Sequence, residues 1–389
     1  MMKSTPLAWK NLTADWRRLS LGVAGVAFAA ILMFMQNGFR NALLDSPVQL
    51  LELLDCDLVA ISVARFSLPT DQTFPESLYE RSLADADVIA AAPMYLERMR
   101  AQVRIAGEPR RPIRVIAMDL KPGWFADEEI ESQLSKLKSP LSALLDKRTR
   151  STYGFDLPDP DRVAAQEIEL ADQSIQIVGF VDIGTDFAND GSLLMSQESF
   201  VRYFSNRAGD DPISEIDLAL FRIRGEADVN AVAKRLTDLD SRVWKVLPRK
   251  NLIRREIQFW NQQTPIGMIF FIGSLMGFAV GIVICYQILF NSIHDSLPEF
   301  ATLKAMGYGD RFFISLVIKQ AIYLSILGFI PAFLISWGLF QAIQWGVGLP
   351  MLFTLSRVAL VLGLTTAMCL ISGLLALRRL LNADPASLF

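Results

Sequence analysis

The residue types that could do chemistry are scarce in this chain, and their spacing assembles no catalytic set. The only histidine, His294, borders an apolar stretch with no second histidine or cysteine beside it, which suits a solvated loop side chain better than a metal ligand. Cys56, Cys285 and Cys369 offer no disulfide framework, because the last two lie in separate apolar segments. No glycine-rich loop ends in Gly-Lys-Ser/Thr, and Gly307 with Gly309 lacks the rest of a dinucleotide fingerprint. No nucleophile and base can be paired from the sequence. The expectation is a chain with no catalytic residue, no metal and no cofactor of its own.

Four long uncharged stretches dominate instead, at residues 19–39, 266–290, 320–338 and 358–377. At about 1.5 Å of rise per residue, each is long enough to cross a bilayer core of roughly 30 Å. Asp and Glu are absent from all four, which removes the usual markers of a proton relay or an ion-coupling site. Hydrophobic residues make up 52% and charged residues 20%, values between those of a soluble enzyme and a bare helical bundle. A net charge of −3 gives no basic face for nucleic acid. The first stretch ends in Met35-Gln-Asn-Gly-Phe-Arg40 without a small-residue cleavage pattern, so it reads as a retained span.

Lys3, Lys10, Arg17 and Arg18 precede the first span, Arg378 and Arg379 follow the last, and Lys304 and Arg311 lie between the second and third. The loop 339–356 has no basic residue. The basic-residue rule therefore places both termini in the cytoplasm and the long polar insertion outside. The expected fold is an α-helical membrane protein: four transmembrane helices with a large mixed α/β extracytoplasmic domain inserted between spans 1 and 2. In sequence order this gives an interfacial helix (1–18), span 1 (19–39), the outer domain with stalk helices (40–263) and span 2 (264–290). A cytoplasmic helix (291–311), span 3 (312–338), an outer loop (339–356), span 4 (357–377) and a cytoplasmic tail (378–389) complete it.

Trp9, Leu12, Trp16 and Leu19 recur at helical spacing, so the leading segment reads as an in-plane amphipathic helix on membrane lipid, or else as a plain positive flank. In the insertion, residues 58–63, 102–105, 113–118, 175–181 and 218–223 predict strands, and 76–84, 197–204, 228–239 and 252–262 predict helices. Residues 121–166, richer in charge, Pro and Ser, predict a variable subdomain or a loop with short helices. Apolar positions Phe39, Leu43, Leu50 and Leu54 predict that the membrane helices flanking the insertion continue outward as a stalk, kinked at Pro47.

Gly273, Gly277 and Gly281, spaced four apart, leave a groove along span 2 where another backbone can approach, and Gly25 with Ala29 gives span 1 a smaller version. A homodimer seam and packing within one subunit are equally open readings. Lys319 is expected to snorkel to headgroups rather than pair inside the bundle, and Pro331 to kink span 3. The short segment after span 2 carries most of the functional weight. Leu297, Phe300, Leu303 and Met306 repeat at three-residue spacing, Ala301 and Ala305 fill beside them, Gly307 ends the pattern, and Glu299 and Lys304 face elsewhere. Such a stripe needs a surface to bury it: either the membrane or a protein groove.

The run Asp295-Ser-Leu-Pro-Glu-Phe-Ala-Thr-Leu-Lys-Ala-Met-Gly307 resembles the coupling-helix signature of four-span ABC exporter permeases, the MacB/FtsX/Lol superfamily. Ala29-Ala-Ile-Leu-Met-Phe-Met-Gln-Asn-Gly-Phe-Arg-Asn-Ala-Leu-Leu-Asp45 resembles the first span of DevC-type permeases of cyanobacteria. So do Asp57-Leu-Val-Ala-Ile-Ser62, Leu349-Pro-Met351, Met368-Cys-Leu-Ile-Ser-Gly373 and the C-terminal Ala383-Asp-Pro-Ala-Ser-Leu-Phe389. The resemblance implies an inner-membrane permease subunit exporting envelope-directed cargo such as glycolipid by mechanotransmission. It implies a homodimer, a separate DevA-like ABC ATPase that carries ATP and Mg, a DevB-like periplasmic membrane-fusion adaptor and a TolC-like outer-membrane channel. Leu297, Glu299, Phe300, Ala301, Leu303, Lys304, Met306 and Gly307 would then dock the ATPase. One departure is Gln320, where the family pattern implies an acidic residue. The alternative is an FtsX-like transducer that regulates a cell-wall hydrolase and transports nothing.

Overall fold

The computed structural model describes residues 7–381 apart from 158, 187, 188, 210, 348 and 350. The expectations for residues 1–6, for Pro350 and for the tail from 382 onward fall outside the described residues. The chain divides into two compact units: residues 1–41, 265–344 and 351–389, and residues 42–264 with 345–350.

Among the described residues, four helices are long and apolar enough to span a membrane, within Trp16–Leu53, Gly267–Asp295, Asp310–Gly346 and Leu355–Arg378, and most of their length belongs to the first unit. A short helix, Leu7–Thr13, precedes them. Another, Leu297–Ala305, lies between spans 2 and 3, with Ser296 alone separating it from span 2. Pro331 stays within the unbroken helix Asp310–Val347. The interior of this unit is apolar and small-residue rich: Val26, Ala29, Ala30, Cys285, Leu289, Ala321, Leu324, Val361 and Cys369 are fully buried. Met268, Phe271, Leu275 and Met276 of span 2 and Ile330, Leu334 and Trp337 of span 3 stay exposed, as side chains that face lipid should.

The second unit is built on an eight-stranded mixed sheet. Its strands lie in the order Gln176–Val181, Ser142–Asp146, Ser192–Ser196, Arg114–Met118, Val88–Glu97, Leu218–Ile223, Leu58–Ser62 and Trp244–Pro248. Two pairs are parallel, Gln176–Val181 with Ser142–Asp146 and Ser192–Ser196 with Arg114–Met118; the others are antiparallel. Both faces are covered. Leu58 and Ala60 enter one core while Val59 and Ile61 enter the other, because successive side chains of a strand point to opposite faces. That is why Leu58–Ser62 reads as a continuous apolar run with every residue buried. A smaller four-stranded sheet orders Arg111–Pro112, Gln102–Ile105, Ile168–Leu170 and Gln173–Ser174, and there Gln102–Ile105 alternates exposed and buried.

Two expectations are revised. Residues 121–166 contain the short helices Glu128–Gln133 and Pro160–Ala164, but also the fully buried strand Ser142–Asp146 inside the main sheet. Its Ser142 and Asp146 ends disguised a strand as loop. The stalk is also asymmetric. Span 1 continues as one helix to Asp45, turns through a 3-10 segment at Ser46–Val48 around Pro47, and resumes as Gln49–Leu53. Before span 2, the helix Arg249–Gln258 passes into a π-helical turn, Phe259–Gln263, and stops at an extended Thr264 with φ −107° and ψ 145°. Pro265 follows, and proline disfavours helical geometry in the residue before it.

Candidate functional site

The glycine face of span 2 is filled by span 1 of the same chain. A Cβ on Gly273 would lie 2.6 Å from Gln36 Cδ, one on Gly277 3.5 Å from Leu32 Cβ, and one on Gly281 2.9 Å from Ala29 Cβ and against Met368 Sδ. From the other side, a Cβ on Gly25 would meet Ile284 Cγ2 at 2.5 Å, and one on Gly22 would meet Ile288 Cγ2 at 3.2 Å. The partners step along the two helices in opposite directions, one turn at a time, as an antiparallel pair requires. Missing side chains on both helices let the backbones close on each other, so spans 1 and 2 form a tightly meshed pair. Gly328 of span 3 likewise sits against Val26, with Ala27 N 3.3 Å from where its Cβ would be.

The helix Leu297–Ala305 ends on Gly307, whose φ of +94° is the left-handed conformation that favours glycine. The Tyr308 N–H donates to the Leu303 carbonyl at 3.2 Å and that of Met306 to the Thr302 carbonyl at 3.1 Å, a left-handed C-terminal cap. The predicted stripe does not share one environment. Leu297 is half-buried, Leu303 is half-buried against the core of the membrane helices, and Met306 is 64% exposed. The side chains of Phe300, Ala301 and Lys304 lie outside the described residues. Glu299 is exposed, and Tyr308, which sequence reasoning passed over, is 45% exposed and packs on Phe312 with ring centres 4.6 Å apart. The start of span 1 is tied to the end of span 2 by an ion pair between Arg18 and Asp295. In span 3, Lys319 is exposed, whereas the neighbouring Gln320 is buried with its Oε1 lacking a hydrogen-bond partner.

Chemistry absent from the sequence pattern appears in the second unit as buried charge. Arg65 donates to the carbonyls of Gln72 at 2.9 Å and Leu68 at 2.8 Å and to Asp217 Oδ1 at 2.5 Å. Asp217 also accepts from the Leu96 N–H at 2.8 Å and from Arg207, whose guanidinium lies 5.3 Å from the Phe200 ring centre. Burial pushes the Asp217 carboxyl up, and the two guanidiniums oppose it. Glu256, also raised by burial, accepts from the Leu68 N–H at 3.1 Å and from Trp260 Nε1 at 2.9 Å. These bonds pin the 65–72 loop to the sheet and to the helix Arg249–Gln258; they hold a shape and leave no group free to react. Among the described residues, no three of His, Cys, Asp and Glu converge as a metal site needs.

Residues 269–385 match the family of FtsX-like permease C-terminal domains. No curated protein matches the chain. Solved structures similar to it include the periplasmic region of MacB from Actinobacillus actinomycetemcomitans, at 10% identity and a TM-score of 0.35 over 54% of this chain and 96% of that one. The extracellular domain of the noncanonic ABC-type transporter YknZ from Gram-positive bacteria is similar at 10% identity and a TM-score of 0.32, over 49% of this chain and 98% of that one. A domain of a putative permease from Porphyromonas gingivalis is similar at 10% identity and a TM-score of 0.30, over 51% and 91%. The matched 269–385 region runs from span 2 through span 4 and includes the short helix Leu297–Ala305. Together with the four long apolar helices, this match is in keeping with a multi-pass membrane protein whose C-terminal part is similar to FtsX-like permeases.

Proposed function

We propose that this chain is the inner-membrane permease subunit of an ATP-driven exporter of the DevC kind, with both termini cytoplasmic. It works as a homodimer with two separate ATPase subunits, which bind ATP and Mg, and sends an envelope-directed cargo through a periplasmic adaptor and an outer-membrane channel. The observation that carries this reading is the FtsX-like match across the short helix Leu297–Ala305, whose capped end presents Met306 and Tyr308 to the outside.

The coupling follows from stiffness. A push on Leu297–Ala305 reaches span 2 through a single intervening residue, Ser296. Span 1 must follow, because side chains of each helix fit against glycines of the other and the two mesh closely. Span 1 is one unbroken helix to Asp45, a stiff lever, whereas the chain before span 2 is interrupted at Thr264 and Pro265 and can bend there. ATP-driven closure of the partner subunits then becomes a rearrangement of the extracytoplasmic domain. Cargo need not pass between the spans, in keeping with four uncharged apolar stretches.

The test is purification of the native complex from its own membranes with mass spectrometry of what accompanies it. An ABC ATPase and a membrane-fusion adaptor are expected. Recovery of a cell-wall hydrolase in place of the adaptor would overturn the export reading.

A further inference from the structure

Phe66 is 55% exposed on a loop that has little freedom to hide it. Its neighbours Arg65 and Ser67 are both buried. The Arg65 guanidinium holds the carbonyls of Leu68 and Gln72, the Arg65 carbonyl accepts from Arg255 Nη2 at 2.9 Å, and the Leu68 N–H donates to Glu256. Burying an arginine is costly, and here the ionic framework fixes a large apolar ring in the open. That ring is not isolated. Its centre lies 5.5 Å from that of Phe259, which in turn meets Trp260 edge-on at 5.7 Å. Phe259 and Trp260 are half-buried, so three aromatic rings run together with the Phe66 end uncovered. Trp260 is held as firmly as the loop: its Nε1 donates to Glu256 at 2.9 Å and its carbonyl accepts from Thr264 Oγ1 at 2.7 Å.

Two observations say what covers these rings. The first is their place along the chain. Trp260 comes five residues before Pro265, where the helix of span 2 begins, and Met268 and Ile269 already expose their side chains as lipid-facing residues do. At a helical rise of about 1.5 Å, five residues cover roughly 8 Å, close to the thickness of one headgroup layer. The second is charge. The helix Arg249–Gln258, just ahead of the rings, exposes Lys250 and Arg254, while its one carboxylate, Glu256, is buried. Rings beside exposed cations suit a membrane interface, where aromatic side chains sit among headgroups and cations meet phosphate. We infer that Phe66, Phe259 and Trp260 form an interfacial anchor, seating the 65–72 loop in the headgroup layer of the leaflet that span 2 enters. The occupant of the patch is phospholipid, continuous with the lipid around span 2. Phe66 thereby gives the second unit a hold on the leaflet that its covalent link to span 2 does not supply. The inference rests on span 2 crossing a bilayer and not on the export reading.

Spin-label accessibility in the full chain, reconstituted alone into phospholipid nanodiscs, tests this. Ala64 is exposed two residues from Phe66, so a nitroxide on Ala64→Cys reports on the loop with the anchor intact, and the three native cysteines are buried. Met99→Cys, at a position 69% exposed in the same unit, is the aqueous control, and Met268→Cys in span 2 is the lipid control. The ratio of collisions with oxygen, which concentrates in lipid, to collisions with a water-soluble nickel chelate should be higher at 64 than at 99 and should approach that at 268. Adding Phe66→Ser should bring the ratio at 64 down to that at 99. Phe66 is exposed, so this variant keeps the fold, which a matching thermal unfolding temperature verifies. A ratio at 64 equal to that at 99 in the parent would overturn the inference, because the loop would then stand in water. An immobilised label at 64 shielded from both reagents would overturn it in favour of a second copy of the chain on the patch. A high ratio untouched by Phe66→Ser would remove Phe66 as the anchor.

Discussion

Gly281 of span 2 lies against Ala29 of span 1 so closely that a Cβ on the glycine would sit 2.9 Å from the alanine Cβ and press on Met368 as well. Gly277, one turn away, leaves its would-be Cβ at an ordinary 3.5 Å from Leu32. The two glycines of one motif therefore differ in tolerance. Gly277→Ala should be nearly neutral, whereas Gly281→Ala should cost about 1–3 kcal/mol through overpacking, and Gly281→Leu more. Thermal unfolding in detergent orders the three variants. Equal behaviour of the two alanine variants would show that the spans do not mesh at this register.

Cys285 and Cys369, on spans 2 and 4, bring their sulfurs to 3.7 Å. Closing that gap to about 2.05 Å makes a disulfide. A membrane-permeant oxidant should therefore close a disulfide between them, leaving one free thiol of the three. The survivor should be Cys56, which is buried in the other compact unit, whereas the two contacting thiols belong to the first. Thiol counting by mass spectrometry after alkylation reads the outcome, and Cys285→Ala should abolish the crosslink.

The four spans were legible because a bilayer demands long uncharged runs, and the core strands Leu58–Ser62 and Leu218–Ile223 because a sheet covered on both faces demands continuous apolar ones. Ser142–Asp146 was not legible, since its polar ends and charged surroundings carry the signature of a loop. Nor was the thiol pair: Cys285 and Cys369 looked unrelated in separate apolar segments, and only helix packing brings them together. The same holds for Arg65 and Asp217, 152 residues apart, whose pairing is a tertiary event with no local pattern. The glycine groove was visible at Gly273, Gly277 and Gly281, but what fills it was not, because spacing gives the shape of one helix and not its partner. The apolar stripe beyond span 1 predicted a stalk on both sides, and it carried no sign of the break at Thr264 and Pro265.

Asp217 carries two buried guanidiniums, with Arg65 at 2% exposure and Arg207 at 7%. Asp217→Ala would leave Arg65 without a carboxylate and Arg207 with Glu97 alone, 3.6 Å away, and breaking a buried pair costs about 3–5 kcal/mol. The expected result is a lower unfolding temperature and earlier proteolysis in the 65–72 loop. A restored unfolding temperature on adding Arg65→Met would identify uncompensated charge, rather than a lost cavity filler, as the cause.

Asp146 is fully buried at the end of its strand. One carboxylate oxygen accepts the Arg148 N–H at 3.0 Å and the other has no hydrogen-bond partner. Burial raises its carboxyl from 3.8 to about 6. The folded state then binds the proton more tightly than the unfolded chain. This contribution to stability is therefore full below pH ~4, shrinks as pH rises towards ~6, and is flat above. About 3 kcal/mol is at stake, from roughly 1.4 kcal/mol per unit. Asp146→Asn, which has no charge to desolvate, should flatten this slope and be more stable than the parent at pH ~7.5. Unfolding of both proteins across pH ~4 to ~7.5 gives the comparison, and parallel profiles would remove Asp146 as the source.

The last prediction concerns docking of the ATPase. The stripe Leu297, Phe300, Leu303 and Met306 was expected to act as one surface, but Leu303 already packs against the membrane core. Truncating it would disturb the helix and its partner together, so a loss of ATPase from Leu303→Ala would be ambiguous. Met306 and Tyr308 are different: both are exposed, and they flank Gly307 at the capped end of the helix. A Met306→Ala/Tyr308→Ala variant should insert and fold like the parent, because little is buried at either position except the Tyr308 contact with Phe312. If these two side chains enter a groove on the ATPase, each contributes about 1.5–3 kcal/mol of apolar burial in the complex. Losing both should weaken association by at least about a hundredfold, seen as loss of co-purifying ATPase. Glu299→Lys should act more weakly, since an exposed charge at a rim is screened by salt. Undiminished ATPase recovery with the double variant would mean that this end of the helix meets lipid.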